Sequence, residues 1–294
     1  MPLEQRSCPL CGRSTSRDFD QRQFRGHQVA YRICGACGFV FQSPRMTEAE
    51  LGLFYQAEYR RLYQGAEGPD LRDLEIQKAR AVSLVGFLGA AGVDQVARHL
   101  DIGCSAGLLL EEIRERYGPT GVGIEPGDAY REYVENRGFK IYPSLDAMEA
   151  AGEGRFDLVS AAHVLEHLPD PVGYLKRVRE KWLTNDGSLL VEVPNLYAHD
   201  CFEVAHMSAF SEHSLRRVLE KSGFAVLALR KHGIPRSEIL PLYITALAAP
   251  VDGNTVDIPF RVIAERGVRI KRRVGMARRR VVERLFPTRA WRKS

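Results

Sequence analysis

The amino-acid sequence predicts a doubly wound α/β fold, and three observations carry that prediction. Between residues 96 and 235 short apolar runs alternate with helical patterns, as expected of strands laid parallel through crossover helices. The first run, Val96-Ala-Arg-His-Leu100, leads into Asp101-Ile-Gly-Cys-Ser-Ala-Gly107 and then into the apolar helical run Leu108–Ile113. The second, Gly121-Val-Gly-Ile-Glu125, ends on a carboxylate 24 positions after Asp101. Around this core the chain divides into a cysteine-rich module (1–45), a helical linker or cap (46–95), the core itself (96–235) and a basic tail (236–294).

A chain of 294 residues is long enough for one α/β domain with one or two small appendages. Its 45% hydrophobic and 27% charged residues are ordinary for a folded intracellular protein. No apolar run approaches the ~18 residues of a membrane span, and the start, MPLEQRSCPL, lacks the apolar core of a signal peptide. The expected location is therefore the cytoplasm, where thiols stay reduced, so six cysteines read as metal ligands or buried thiols. The net charge of +5 is concentrated in the tail, where residues 261–294 carry thirteen Lys/Arg against Glu265 and Glu283.

In chain order, Cys8-Pro-Leu-Cys11-Gly12 and Cys34-Gly-Ala-Cys37-Gly38 form two C-x-x-C knuckles separated by 22 residues, among short β-like runs at Val29–Ile33 and Phe39–Gln42. Two residues between thiolates let one tight turn aim both sulfurs at one ion, and the following glycine gives the turn its freedom. Cys8, Cys11, Cys34 and Cys37 are thus predicted to close a tetrahedral structural zinc site, a zinc ribbon with no open position. Thr47 followed by Glu50 is a capping-box pattern, which predicts a helix from Thr47 to about Tyr59, and a second helix is expected over Asp70–Leu88.

A strand that ends in a glycine turn and opens a helix lets a ligand approach the backbone closely, and an acid at the tip of the next strand can accept both hydroxyls of a ribose. The spacing Gly103-x-x-x-Gly107 is not the dinucleotide pattern G-x-G-x-x-G. These residues resemble the class I S-adenosylmethionine-dependent methyltransferases, whose first motif reads acid-x-Gly-x-x-x-Gly. The resemblance implies a Rossmann-like sheet and S-adenosylmethionine as cofactor. Asp101, Gly103, Cys104 and Gly107 would line its methionine part, Glu125 its ribose, and Ser144 and Leu145 its adenine, with Ala162 at the end of the fourth strand. Cys104 supplies a small packing side chain in that loop. The remaining elements are strands at Ile141–Tyr142, Phe156–Ala162, Leu189–Val193 after an Asn185-Asp186-Gly187 turn, and Phe224–Leu229, with a helix from Ser211 to Ser222.

Ligands in such folds bind beyond the carboxyl ends of the strands. Four of the eight histidines fall there: His163-Val-Leu-Glu166-His167 follows the fourth strand, and a segment with His206 and His213 follows the fifth. A histidine titrates near neutral pH and suits removal of an acceptor proton. His163, Glu166, His167 and His206 are the candidate catalytic residues. The stretch His206, Ser208, Phe210, Ser211 resembles a motif of deoxysugar C-methyltransferases, which also carry a four-cysteine N-terminal module; Glu203 and Ala205 stand at that motif's Tyr and Glu positions. The same cluster resembles the Glu-x-x-Glu-His plus later His set of metal-assisted small-RNA 2′-O-methyltransferases, which implies a second divalent metal at His163, Glu166, His167 and His206 as the alternative to a metal-free base. His99 is expected to be a packed strand histidine, and Cys201 has no assigned role.

In the tail, a coil with several prolines precedes a helix on which Ile263, Gly267, Ile270, Val274, Ala277, Val281 and Leu285 form one stripe among arginines. A solvated face, an anionic membrane surface and RNA are the readings for it. Together these features predict an O-methyltransferase of a sugar, glycan or related small metabolite, cytoplasmic or peripheral at the inner membrane face. An RNA methyltransferase and a non-catalytic cofactor-binding scaffold are the alternatives.

Overall fold

In the computed structural model, which describes residues 3–47, 50, 68–251 and 264–292, five strands make up the N-terminal module. They are β1 (Leu3–Glu4), β2 (Ser16–Phe24), β3 (His27–Cys34), β4 (Val40–Gln42) and β5 (Arg45–Met46). The β2–β3–β4 run is an antiparallel meander, and β1 pairs with β5 to tie the ends together. In β3 a buried row of Val29, Tyr31 and Ile33 alternates with more exposed positions, the period-2 pattern expected there. The sequence reading contains no strand at β2, because SRDFDQRQF is polar and its pairing with β3 holds it in place. Both knuckles close as expected: Gly12 N donates to Cys8 O (2.8 Å) and Gly38 N to Cys34 O (2.9 Å), with φ at 75° and 71°.

The helix expected from Thr47 to Tyr59 lies almost wholly outside the described residues, although Thr47 and Glu50 do exchange capping hydrogen bonds of 3.4 Å. The second expected helix is α1 (Leu71–Ala90), started by Asp70, whose carboxylate accepts from Asp73 N. The alternation that follows is β6 (Arg98–Ile102), α2 (Leu108–Tyr117), β7 (Thr120–Ile124), α3 (Asp128–Glu135), β8 (Lys140–Tyr142), α4 (Leu145–Ala150) and β9 (Phe156–Ala162). It continues through α5 (Pro171–Lys181), β10 (Leu183–Pro194), β11 (Ser208–Ala209), α6 (Glu212–Lys221), β12 (Phe224–His232) and β13 (Tyr243–Pro250).

Seven of these strands form one mixed sheet in the order β12-β13-β10-β9-β6-β7-β8. All run parallel except β13, which is antiparallel to β10 and β12. Side-chain alternation covers both faces. Leu158, Leu190 and Leu247 pack against α1, α2 and α3, while Val159, Leu189 and Val191 pack against α4, α5 and α6. Strand order reverses between β6 and β9, the switch point where, in open α/β sheets, ligands bind in the crevice beyond the carboxyl ends of the strands.

Two expectations are corrected here. The segment after residue 235, read as coil because of its prolines, contains β13, which fills the slot between β10 and β12 with Ile244–Ala248 fully buried. The Asn185-Asp186-Gly187 turn lies inside β10, as an irregularity in its pairing with β9 between Leu183 and Ser188.

The module is docked on the core through the loop after β10. β11 joins the module's sheet beside β4, pairing Ser208 with Phe41 and Ala209 with Val40. Gln42 N donates to Met207 O (2.8 Å), and the Tyr31 hydroxyl donates to His206 O (2.5 Å) with Glu203 O 3.1 Å away. The basic tail forms α7 (Glu265–Leu285) and the short α8 (Pro287–Ala290). Arg272 and Arg279 of α7 donate to the carbonyls of Leu196, His199 and Ala198. Gly275 lies so close to Tyr197 that a Cβ there would sit 1.8 Å from its carbonyl oxygen.

Inside the sheet His99, Ser160 and Asp101 form a buried polar chain: His99 Nε2 is 2.7 Å from Ser160 Oγ, which donates to Asp101 Oδ1 at 2.6 Å. Burial pushes His99 down to about 3 and Asp101 up to about 7, the Ser160 bond restraining and the Glu125 charge reinforcing the latter shift. A folded pKa above the ordinary 3.8 means that neutral Asp101 stabilises the fold fully below that value, and this contribution is lost as pH rises through about 7. Relative to Asp101→Asn, the wild type should therefore lose unfolding temperature between about pH 5 and about pH 8, because neutral Asp101 gives up its proton in that range; a constant difference between the two would mean Asp101 is ionised throughout. Tyr31→Phe removes the hydroxyl donor of the His206 carbonyl, at a cost of about 1–3 kcal/mol, while Glu203 O keeps Gln42 Nε2 and His206 N. Amide exchange at Met207 and Ser208 should accelerate in that variant while β6, β9 and β10 keep their protection.

Candidate active site

The turn after β6 is held open by left-handed backbone at Gly103 (φ 72°), Ser105 (φ 49°) and Gly107 (φ 75°). Gly103 N and Cys104 N both donate to Ile124 O, at 2.8 and 3.0 Å, so the turn is pinned to the end of β7. A Cβ on Gly103 would stand 2.8 Å from the Val164 side chain, which requires glycine there. Glu125 follows β7 directly. Its half-buried carboxylate accepts from Ser105 N (3.2 Å) and Gly127 N (2.8 Å), facing the turn across the crevice. From behind, the Gln77 amide oxygen of α1 accepts from Ala106 N at 3.1 Å.

Gly103, Gly107 and Glu125 thus come together as the sequence predicts. Asp101 turns inward to Ser160. The Cys104 thiol is buried among Leu110, Val134, Phe139 and Ile141. Ser144 caps α4 by accepting from Ala147 N, just past β8, and Leu145 lies in the core beside it. Ala162 is the half-buried last residue of β9, level with Glu192 of β10.

Past Ala162 the chain bends sharply. His163 has φ 58° and donates its N–H to Glu192 O (2.8 Å). A 3-10 turn, Leu165–His167, then drops Glu166 into the interior at 1% exposure. The four candidate residues separate into a trio and an ion-paired histidine. Ligand atoms of Glu166, His167 and His206 lie within 4.8 Å of one another. The His163 ring sits between Glu166 (3.1 Å) and Glu192 (3.3 Å). Burial and the Arg80 charge push His163 down, but the two carboxylates outweigh them and hold it above its usual value. Burial pushes Glu166 up, and the neighbouring His163 outweighs that and holds it at about 2.

Burial and the proximity of His206 lower His167 to about 4, so at neutral pH its ring is uncharged. His167 Nδ1 lies 3.2 Å from Ala205 O and His206 Nδ1 2.9 Å from Cys201 O, which commits these nitrogens to carbonyls. Among the described residues neither Glu166 oxygen accepts a well-aligned hydrogen bond. A buried anionic oxygen beside two imidazoles is a donor set that fits zinc, iron or manganese better than magnesium.

The sequence reading missed the carboxylate that organises the other side. Glu192 of β10 is 0% exposed and contacts Arg80 Nε (3.0 Å), His163 Nε2 (3.3 Å), His232 Nε2 (3.0 Å) and the Thr245 hydroxyl (3.0 Å). Burial opposes its charge, and the His163 and His232 partners override it, keeping it well below the usual carboxylate range. The Tyr243 ring lies against His163, His199 and His232, and Arg80 stands over it. The available signal was one acid inside the apolar run Leu189–Val193, since a charge in a buried strand requires partners.

Where the module packs on α5 and α6, Cys8 and Cys37 Sγ are 3.5 Å apart, as are Cys11 and Cys34, and all four sulfurs lie within 4.8 Å. Tetrahedral zinc with Zn–S of about 2.3 Å separates its sulfurs by a similar distance. Proximity to Cys37 and Cys8 pulls the Cys34 thiol well below the ordinary range, so thiolate character is already favoured there. The residues fit the ion.

Comparison with known proteins bears on this geometry. The family described as "Methyltransferase domain" matches residues 74–229, more than half of the chain. Two proteins named ubiquinone biosynthesis O-methyltransferase are similar to part of it: that of Dinoroseobacter shibae is 38% identical over 90 residues, 28% of this chain and 36% of the relative. That of Cereibacter sphaeroides is 39% identical over 103 residues, 33% and 40% respectively, so the match spans well under half of these relatives. Among solved structures, the 1,6-didemethyltoxoflavin-N1-methyltransferase of Burkholderia thailandensis, with its acceptor and S-adenosylhomocysteine bound, superposes with a TM-score of 0.57 at 18% identity, over 80% of this chain and all of that one. A mitomycin 7-O-methyltransferase superposes at 0.52 and 20% identity, over 68% of this chain and 60% of its own. At such identities the likeness is one of fold. With the sheet order, the glycine turn and the matched family in agreement, the chain belongs to the methyltransferase-domain family.

Proposed function

We propose that this enzyme transfers the methyl group to a hydroxyl oxygen of a small metabolite, a sugar or glycan among the acceptors, with Glu166, His167 and His206 placed at that oxygen. The observation that carries this reading is the buried trio itself: a charged carboxylate without a well-aligned donor, next to two imidazoles oriented by backbone carbonyls. It stands directly across the cofactor turn, because Val164 packs on Gly103. The relatives named as O-methyltransferases support oxygen as the atom methylated.

The Gly103–Gly107 turn and Glu125 would hold the nucleoside, the carboxylate accepting from the ribose hydroxyls. In the transfer a C–O bond forms as the C–S bond of the sulfonium breaks, and its electron pair stays on sulfur as a neutral thioether. The acceptor proton goes to an imidazole nitrogen, for which His206 Nε2, with Glu203 Oε2 4.0 Å away, is the assigned group. His163 is placed as an orienting cation rather than a base, since Glu166 and Glu192 already hold its ring. In place of that base, a divalent cation held by Glu166, His167 and His206 would lower the pKa of the acceptor hydroxyl, with His206 Nε2 as its ligand rather than as the proton acceptor. Zinc on Cys8, Cys11, Cys34 and Cys37 would be structural. In this reading residues 1–45 are a positioning module, α1 backs the cofactor turn through Gln77, and the transferase core runs from 96 through β13.

Calorimetry with S-adenosylhomocysteine and a methyl-transfer screen over hydroxylated metabolites test this together. Glu125→Ala should weaken cofactor binding by at least about tenfold, as one carboxylate bridging two hydroxyls is lost. Glu166→Gln and His206→Ala should bind it normally yet turn over about 10²–10⁴-fold more slowly. Metal analysis should find a tightly held equivalent in every variant and a second that disappears in Glu166→Gln. Unchanged turnover in both trio variants would remove these residues from the reaction.

A further inference from the structure

The sequence places an apolar stripe on the tail helix, and the face that α7 turns to the body is the opposite one. Val268 and Arg272 are buried, Gly275 and Arg279 pack on loop 196–199, and only this face meets the protein. At 100° per residue these positions lie on the far side of the helix from Ile270, Val274, Ala277, Val281 and Leu285. The large residues of that outer stripe are exposed at 60%, 63%, 56% and 63% for Ile270, Val274, Val281 and Leu285, and Phe286 continues it at 49%. An aliphatic row about 22 Å long thus stands in water on a helix whose other face is satisfied.

Charge says what covers it. Arg266, Arg273, Arg280 and Arg284 run along one flank of the stripe, Lys271 and Arg278 along the other, and all six are exposed. Among the described residues none of the six is in an ion pair. The two acids of the helix are kept on the body side, Glu265 bonded to Arg17 and Arg269 and Glu283 to Arg279. A second copy of this helix laid on the stripe would bring two cationic flanks against each other. RNA would use the cations and leave the aliphatic row in water. An apolar stripe between two cationic rows matches the boundary between acyl chains and anionic headgroups. Among the described residues no helix is long and apolar enough to cross a membrane, so this contact is a surface one.

We propose that the outer face of α7 binds an anionic lipid bilayer, in the plane of the headgroups, through Ile270, Val274, Val281 and Leu285 with arginines on both flanks. This goes beyond the reading of the reaction and does not rest on it. It also places a cleft at the membrane. Immediately after Phe286, Pro287, Thr288 and Trp291 line a cavity of about 550 Å³ with Ile76, Pro235 and Arg236. Its Trp291 ring lies 6.1 Å from His199, itself 5.7 Å from Tyr243 beside the site.

Sedimentation of the full chain with vesicles tests the proposal, using phosphatidylcholine alone or mixed with phosphatidylglycerol. The wild type should pellet with the mixed vesicles, remain in solution with phosphatidylcholine, and be released by salt. Replacing Arg273, Arg280 and Arg284 by Glu should weaken partitioning by more than about a hundredfold, from about fivefold per cation. Val274→Ser with Val281→Ser and Leu285→Ser, which leaves the charge untouched, should weaken it at least about tenfold. Both variants should keep the wild-type unfolding temperature and S-adenosylhomocysteine affinity, which separates loss of the surface from loss of the fold or of the transferase site. No pelleting of wild type overturns the proposal. So does serine-variant binding equal to wild type, which would leave only a charge effect such as RNA uses, or a concentration-dependent dimer that the serine substitutions abolish.

Discussion

Two backbone pairings, Ser208 with Phe41 and Ala209 with Val40, carry the cysteine module's order into the transferase site. Through them β11 becomes an edge of the module's sheet, and the loop that ends on it brings His206 against Glu166 and His167. Met207 N donates to Glu166 O from the same loop, so the module, the loop and the turn after β9 form one hydrogen-bonded unit. A short meander has too little core to hold such a loop by itself. Four sulfurs gathered at its tip by two tight turns supply the constraint, and the Lys221 ammonium on Leu10 O adds a tie to α6.

The second organising feature is buried charge. Glu192 and Glu166 stand on either side of His163, and the Arg80 guanidinium and the His232 ring also contact Glu192. Removing any one partner from such a set strands the others in a medium of low polarity. The arrangement therefore holds the bend at His163, whose left-handed backbone would otherwise relax, and with it the position of Val164 against the glycine turn. The glycine turn after β6 and the Glu166–His167–His206 trio are coupled through that one bend.

How much of this was legible depended on whether the signal was local. The turn from Asp101 to Gly107 and the acid at Glu125 sit within single strand–turn–helix units, and the structure brings the turn and the carboxylate face to face. The knuckles are local for the same reason. Glu192 was visible as an odd residue in an apolar run, but its partners Arg80, His232 and Thr245 are far away in sequence, and nothing in the spacing joins them. β13 was hidden by flanking prolines and by a composition rich in alanine, and its place is set by the gap between β10 and β12. On α7 periodicity located the stripe correctly yet said nothing about which side meets the body, because here arginines reach carbonyl oxygens where aliphatic packing is the usual solution. Splitting the histidine cluster into a trio and an ion-paired ring likewise needed distances.

The reversed direction of β13 has an effect of its own. Every parallel strand presents its final residue to the crevice, whereas β13 presents its first, Tyr243, opposite Pro194 and His232. The rim on that half is thus made by a chain arriving from residues 233–242, with no helix-opening turn. Changes in that segment can reshape the rim beside Tyr243 while the Gly103–Gly107 turn and Glu125 stay as they are, so this half of the carboxyl-end surface can diversify without disturbing the other.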